Sequence, residues 1–471
     1  MIEPSQKNSR TQLKPIKVLV DLRVNAPLTL SEAKYAIRTL ADIAGLACHF
    51  VTNPKEDSIN LVYSDKQNDI DCQLFIRAAS SADNVNFVSD PSPNNKIMDN
   101  DIVLATYMLI SGLHERKMTR DKHDHHAVET SILYRSNLLH VPIVNQYGST
   151  IRELFPSHNP LSLWPEGKTW AAAITHDVDY PQMIRWMEMF RYLIDKKGGS
   201  KLSVLTDIAN GQNHFWMFKD WMDMEIRHEV RSAFYFSGRK GSLLKYLMGV
   251  PDPFYDVRSK EFKNIISHLK KNGFEVGLHA SYNAYRSLNT FLEEKKIVED
   301  SLAETLLGNR HHYWRINQDD PAETSFLHEE AGLLYDASIC YERRAGFRFG
   351  IGTPYRLFHK HKKRTSKSLQ LPTTLMDTHM SAHSMYNRFE TPHAEIDSLL
   401  AETKKAGALF IVNYHVRMIN DTFFPGVRRM FQKSLELISE DSECFCKTPI
   451  EIAQYWVTRE KKIRDASCDD T

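Results

Sequence analysis

Cysteine is scarce in this chain of 471 residues: Cys48, Cys72, Cys340, Cys444, Cys446 and Cys468 are scattered along it. This excludes a disulfide framework, and the Cys444/Cys446 spacing lacks the paired CxxC blocks of a thiolate zinc site. Long apolar runs are missing as well. No stretch approaches the ~18 consecutive apolar residues of a membrane span. The polar start from Met1 to Lys17 lacks the apolar core and small-residue cleavage site of a signal peptide. A cytoplasmic chain is therefore the expectation. Nor does one sign of charge dominate: 60 Lys and Arg stand against 59 Asp and Glu, a net charge of +1. Such a balance supplies no long-range field for nucleic acid or an anionic surface. Internal repeats and low-complexity tracts are absent too.

What is present is an apolar share of 42%, ample for two or three domains at about 150 residues each. Residues 1–15 are expected to be disordered. Ile16–Asp21 is β-rich. From Leu30 to Phe50, apolar residues recur at helical spacing behind an N-cap signal at Thr29 and Glu32. Ile59–Tyr63 and Gln73–Ile76 are short strand candidates, and Asp99–His114 reads as an apolar helix. These make an accessory α/β domain over 16–155. His123, His125 and His126, in a charged run, read as a solvated loop rather than a metal site. Residues 156–167, with three prolines, read as a linker, and 461–471 as a polar tail.

Over 168–460 apolar β-type runs alternate with helical ones. The strands are Trp170–Thr175, Arg231–Phe236, Phe274–His279, His311–Arg315, Leu333–Ile339, Leu369–Leu375 and Ala408–His415, with helices such as Glu261–Asn272 and Asn289–Leu307 between them. That alternation implies a parallel sheet, and about seven such units favour a barrel.

Active sites of parallel barrels gather at the C-terminal strand ends. The first strand here ends in Thr175-His-Asp-Val-Asp179, the third in His279, the fourth in Arg310-His-His-Tyr-Trp-Arg315, and a late one in Asn413-Tyr-His415. Asp177 and Asp179, two apart in an extended segment, project to one side. Like charges in one pocket repel unless a cation or a shared proton intervenes. One carboxylate on a metal and the other held as a base is the natural division, and His279 adds a nitrogen ligand. If the chain turns helical after His279, Asn283 shares its face. The plainer alternative for the two aspartates is helix capping and loop hydrogen bonding.

Trp170-Ala-Ala-Ala-Ile-Thr-His-Asp-Val-Asp179, Ala233-Phe-Tyr-Phe236, Gly277-Leu-His-Ala-Ser-Tyr-Asn283 and Ile411-Val-Asn-Tyr-His415 together resemble the ordered motifs of polysaccharide deacetylases, the NodB-like carbohydrate esterases. The chain resembles more closely a bacterial branch with a T-H-D-V-D first motif and an appended N-terminal α/β domain. Arg310–Arg315, Tyr335–Ser338 and Gly346–Gly350 look like further signatures of that branch. The resemblance implies a distorted (β/α)7 barrel with a smaller α/β domain. It also implies a divalent metal, zinc first with cobalt or manganese as alternatives, and hydrolysis of the linear amide C–N bond of an N-acetylated sugar.

Position by position, Asp177 matches the family's base. Val178 stands where the metal-binding aspartate usually lies, which moves that role to Asp179. His279 matches the first histidine of the second motif, and Asn283 replaces the second. Arg310 resembles the arginine that orients the base, and His415 the histidine that protonates the departing amine. Tyr180, His312 and Arg348 are candidate substrate-binding residues; the Tyr180 N–H is the expected oxyanion donor. His312 has a second reading as the missing ligand. Arg348 has one as a buried partner of Asp336 or Glu342. Aromatic residues Tyr180, Trp186, Tyr282, Tyr285, Tyr313 and Trp314 suit sugar faces. The expected substrate is a glycan intermediate of surface polysaccharide synthesis, with no nucleic acid, and with biosynthetic partners reached through the N-terminal domain. Two other classes stay open. One is a catalytically impaired glycan-binding or assembly protein, which Asn283 favours. The other is a hydrolase of small non-glycan amides on the same fold.

Overall fold

The computed structural model describes residues 12–66, 70–89, 91–186, 189, 201–379 and 390–467. The expectation for residues 1–15 lies mostly outside them, as do Cys468 and the last residues of the tail. The chain divides into two compact units.

The first unit comprises residues 1–108, 143–165 and 456–471. Its sheet runs β1 (Ile16–Asp21), β2 (Cys48–Val51), β3 (Leu61–Ser64), β4 (Leu74–Arg77) and β5 (Ile97–Met98), all parallel in the order β2-β1-β3-β4-β5. The helix Leu30–Ala44 opens on a capping box between Thr29 and Glu32 and ends at Gly45 in the left-handed region. This helix is shorter than the periodicity implied, because the chain after Gly45 re-enters the sheet as β2. The supposed linker is packed: Trp164 is fully buried against Trp456, and the Leu161 N–H donates to the Gly45 carbonyl. Residues 461–465 continue the helix Pro449–Asp465 rather than forming a tail.

The second unit comprises 109–142 and 166–455. Its strands are β6 (Trp170–Val178), β7 (Ala233–Phe236), β8 (Glu275–Ala280), β9 (Gly308–His311) and β10 (Tyr335–Asp336). There follow a small hairpin, β11 (Phe358–His359) and β12 (Arg364–Thr365), then β13 (Leu369–Gln370), β14 (Leu375–Met376), β15 (Leu409–His415) and β16 (Cys444–Cys446). The main sheet is parallel in the order β13-β10-β9-β8-β7-β6-β15-β14, with β16 beside the start of β6. The two edge strands belong to one stretch of chain. β13 pairs with β10, and five residues later β14 pairs with β15; between them the Leu371 N–H donates to Asp336 O and the Thr374 N–H to Ile411 O. Segment 369–376 thus joins both edges, and the expected seven-stranded barrel closes through it.

Alternation along β6 sorts its side chains. Trp170, Ala172, Ile174 and Val178 enter the apolar core beneath the helices, with Phe234, Phe262, Phe410 and Phe431, while Thr175, Asp177 and Asp179 fall on the opposite face. Two glycines make room for large interior side chains. A Cβ on Gly277 would lie 2.5 Å from the Tyr235 ring, and one on Gly308 would lie 2.3 Å from Tyr335.

The units do not follow the linear division. Residues 109–142, expected in the N-terminal domain, belong to the barrel unit. Their contacts explain it: Glu115 pairs with Arg348, the His125 ring bonds to the Tyr313 carbonyl, and the Phe347 N–H donates to Leu139 O.

Candidate metal and catalytic centre

Register brings the strand-end side chains together. Asp177 lies opposite His415 on β15 and Tyr235 on β7, and His279 lies opposite Arg310 on β9. Asp179 follows β6 by one residue and meets three imidazoles. His279 Nε2 is 2.9 Å from its Oδ1; His415 Nε2 and His312 Nε2 are 3.2 and 3.6 Å from its Oδ2.

The His279 Nδ1–H donates to the Arg310 carbonyl at 2.8 Å, an acceptor only, so the ring in the neutral form that binds a metal turns its Nε2 lone pair toward Asp179. Two acceptors then face each other at 2.9 Å. Neither His279 Nε2 nor Asp179 Oδ1 has a hydrogen-bond partner, and neither nitrogen of His312 has one either, although all three side chains are buried. One ligand atom from each of Asp179, His279 and His312 lies within 4.8 Å of the others. A tetrahedral ion with bonds of ~2.0–2.1 Å spaces its ligands by about 3.3 Å, so small adjustments suffice, and three protein ligands leave one position open. The donor set fits a divalent ion such as zinc.

Asn283 is not part of it. The chain after His279 makes a single 3-10 turn, Ala284–Arg286, instead of a helix, and Asn283 caps that turn in solvent. His312 supplies the third atom of this cluster. It is presented by an unusual backbone: Tyr313 and Trp314 both have positive φ, 57° and 51°. The Tyr313 carbonyl accepts from His125 at 2.8 Å, and Arg315 donates to the His123 carbonyl and, at 2.9 Å, to Tyr285 Oη. The histidines expected in a solvated loop therefore pack against the site. His125 and His126 are buried, and burial holds His126 down at about 4.

Asp177 is held at both oxygens. Arg310 Nη1 donates to Oδ1 at 3.0 Å and Asn413 Nδ2 to Oδ2 at 2.8 Å. Burial alone would raise its pKa; the Arg310 guanidinium, with His279 and His415, brings it below the ordinary value. Arg310 is wholly buried, bonding also to Thr175, Asn413, Thr373 and the Ala337 carbonyl, with its guanidinium between the rings of Tyr235 and Trp314. Strong fields also act on His415. Burial pulls its pKa down, but Asp377 and Asp179 more than reverse this and hold it well above the ordinary value. Asp377 accepts from His415 at both Nδ1 (2.9 Å) and the main-chain N–H (2.7 Å). Sequence reasoning missed Asp377; its position one residue past β14 was the available signal.

Two other candidates lie elsewhere. Arg348 is buried in a bidentate pair with Glu115, and bonds also to Gln318 and the Cys340 carbonyl. Its partner is neither Asp336 nor Glu342. Tyr180 Oη donates to the Pro251 carbonyl at 2.6 Å, with Arg417 over its ring. Of the aromatics, Tyr282 and Tyr313 stand beside His123 and His312, Trp186 is exposed, and Trp314 is core. Glu342 is half-buried, and burial pushes its carboxyl up to about 7. A cavity of about 480 Å³ opens at the other end of the barrel, by Arg231, Glu275 and Lys447, remote from this chemistry.

A family of unknown function, DUF7033, matches residues 22–160. A search of curated proteins finds no match. Among solved structures, the chain is similar to the PuuE allantoinase at 16% identity, over 64% of this chain and 94% of that one, with a TM-score of 0.42. A probable polysaccharide deacetylase from Pseudomonas aeruginosa PAO1 matches at 13% identity, over 64% and 94%, with a TM-score of 0.42. The peptidoglycan deacetylase PdaC from Bacillus subtilis matches at 10% identity, over 65% and 100%, with a TM-score of 0.32.

Proposed function

We propose that this chain is a metal-dependent hydrolase that removes the acetyl group from an N-acetylated sugar or glycan intermediate, in surface polysaccharide metabolism. The observation that carries this reading is the opposition of two buried acceptors, Asp179 Oδ1 and His279 Nε2, beside a carboxylate fixed by Arg310. Asp179, His279 and His312 would hold the ion, zinc foremost. When bound, such an ion polarises a carbonyl and lowers the pKa of water from about 15.7 toward about 7.

The chain's own residues do the rest. Asp177, with Arg310 and Asn413 fixing its two oxygens, keeps free lone pairs for the proton of the attacking water. The water oxygen bonds to the acetamide carbon, and the Tyr180 N–H is the proposed donor to the developing oxyanion. His415 gives its Nε2 proton to the nitrogen as the C–N bond breaks, releasing acetate and an amine. Asp377 fixes the His415 tautomer and stabilises the imidazolium before transfer. The rival reading, a glycan binder that needs no metal, drew its support from Asn283. The position of His312 beside Asp179 and His279 favours the hydrolase over it.

Elemental analysis of the purified protein, followed by acetate release from N-acetylated sugars and from small cyclic and linear amides, tests the proposal. Asp177→Asn is expected to keep its metal and lose turnover by about 10²-fold or more. A wild-type protein that binds no metal after incubation with zinc, cobalt or manganese overturns the reading. So does an Asp177→Asn enzyme of full activity.

A further inference from the structure

The connection after β7 ends in a surface that the chemistry above does not use. Leu243, Leu244, Tyr246 and Met248 are 45, 69, 41 and 73% exposed, four large apolar side chains within six residues. Exposed apolar groups scattered singly are ordinary; a cluster is not. Arg239, Lys240 and Lys245 are exposed among them, and no acidic residue occurs between Ser237 and Pro251. The near-zero net charge of the whole chain hides this local excess.

The segment is anchored at its root. The Gly241 N–H donates to the Pro253 carbonyl at 2.6 Å, and a Cβ on Gly241 would lie 2.1 Å from the Asp252 carbonyl oxygen. Asp252, in turn, receives the Tyr282 N–H and lies 3.8 Å from His312. The short helix Leu243–Leu247 starts at Ser242, whose side chain accepts the Lys245 N–H. The Tyr246 ring stands 5.7 Å from Phe254, which stands 5.8 Å from Tyr180, the residue after Asp179. The apolar tip is therefore tied, ring by ring, to the mouth of the candidate site.

We infer that residues 239–248 dock the barrel on an anionic phospholipid bilayer, with Leu243, Leu244 and Met248 inserted at the interface and Arg239, Lys240 and Lys245 on the headgroups. Apolar side chains interleaved with cations are the composition that interfacial segments use. A second copy of the chain fits worse, since a two-fold contact through this patch sets its cations against their own counterparts. Docking places the mouth at the membrane surface, where an acetylated glycan on a lipid carrier is presented. That substrate class rests on the hydrolase reading; the docking surface itself does not.

Flotation of the full-length protein with vesicles of phosphatidylcholine alone, or mixed with phosphatidylglycerol, separates the two. Wild type should partition to the mixed vesicles and release at high salt. Leu244→Ser/Met248→Ser and Lys240→Gln/Lys245→Gln should each cut partitioning about tenfold or more, with unchanged metal content and melting temperature. Leu292→Ser, exposed on another helix, should behave as wild type. Equal partitioning of wild type and both double variants, or none to anionic vesicles, overturns the inference. Self-association abolished by Leu244→Ser/Met248→Ser overturns it in favour of a second copy.

Discussion

Replacing Arg310 by Met tests the electrostatic centre of the barrel in the metal-free protein. Arg310 makes hydrogen bonds to Thr175, Asp177, Asn413, Thr373 and the Ala337 carbonyl, and its guanidinium is the cation paired with Asp177. Methionine keeps much of the volume between the Tyr235 and Trp314 rings but leaves Asp177, 3% exposed, with only the Asn413 amide. Removing one partner of a buried ion pair costs about 3–5 kcal/mol, chiefly because the surviving charge stays desolvated. Adding Asp177→Asn removes that charge. The double variant should therefore be more stable than the sum of the single losses implies, by about 2 kcal/mol. Urea unfolding of the wild type, both single variants and the double variant closes the cycle, with equal m-values as the check on two-state behaviour. Single losses that add within about 0.5 kcal/mol would refute the reasoning, since Asp177 would then be solvated rather than dependent on Arg310.

Three further outcomes are expected. His312→Ala should weaken zinc binding about a hundredfold or more, and Asn283→Ala should leave it unchanged, by competition with a chromogenic chelator; the reverse order would restore Asn283 as the ligand. Asp377→Asn should keep the metal and lose about 10²-fold or more in turnover, read as kcat for acetate release, through loss of the charge that orients His415. Glu275 is half-buried, with Tyr335 Oη and the Ile450 N–H as donors, and desolvation raises its pKa from 4.5 to about 7. A raised folded-state pKa means that the native state binds the extra proton. Stability from this group is full below about pH 4.5 and falls as pH rises toward about 7, by about 3 kcal/mol at most. Glu275→Gln should flatten that slope in unfolding measured across the same window.

Strand alternation made much of the barrel legible in advance. Thr175, Asp177 and Asp179 share one face because the β period is two, and His279, Arg310 and His415 follow because parallel register aligns strand ends. The placement of Asn283 assumed a helix after His279, where the chain makes one 3-10 turn and leaves that side chain exposed. His312 was ambiguous because two successive non-glycine residues in the left-handed region present it, and side-chain identity carries no signal for that conformation. The Arg348 partner, Glu115, is separated from it by 233 positions, beyond any local pattern. Asp377 follows a strand broken in two, where periodicity is too short to read.

The left-handed pair Tyr313–Trp314 also sets where this protein can be cut. Each such residue costs about 1–3 kcal/mol and persists only where its surroundings over-determine it. Here the restraint comes from residues 123–125, through the His125 bond to Tyr313 and the Arg315 bond to His123. A barrel begun at residue 168, the boundary suggested by linear reading, would lose that clamp while keeping every strand. Tyr313 and Trp314 would be free to relax, and His312 would swing away from Asp179. Such a fragment would lose the restraint on His312 together with Glu115, the buried partner of Arg348, so the chemical unit of this chain is discontinuous, borrowing its clamp from upstream of the first barrel strand.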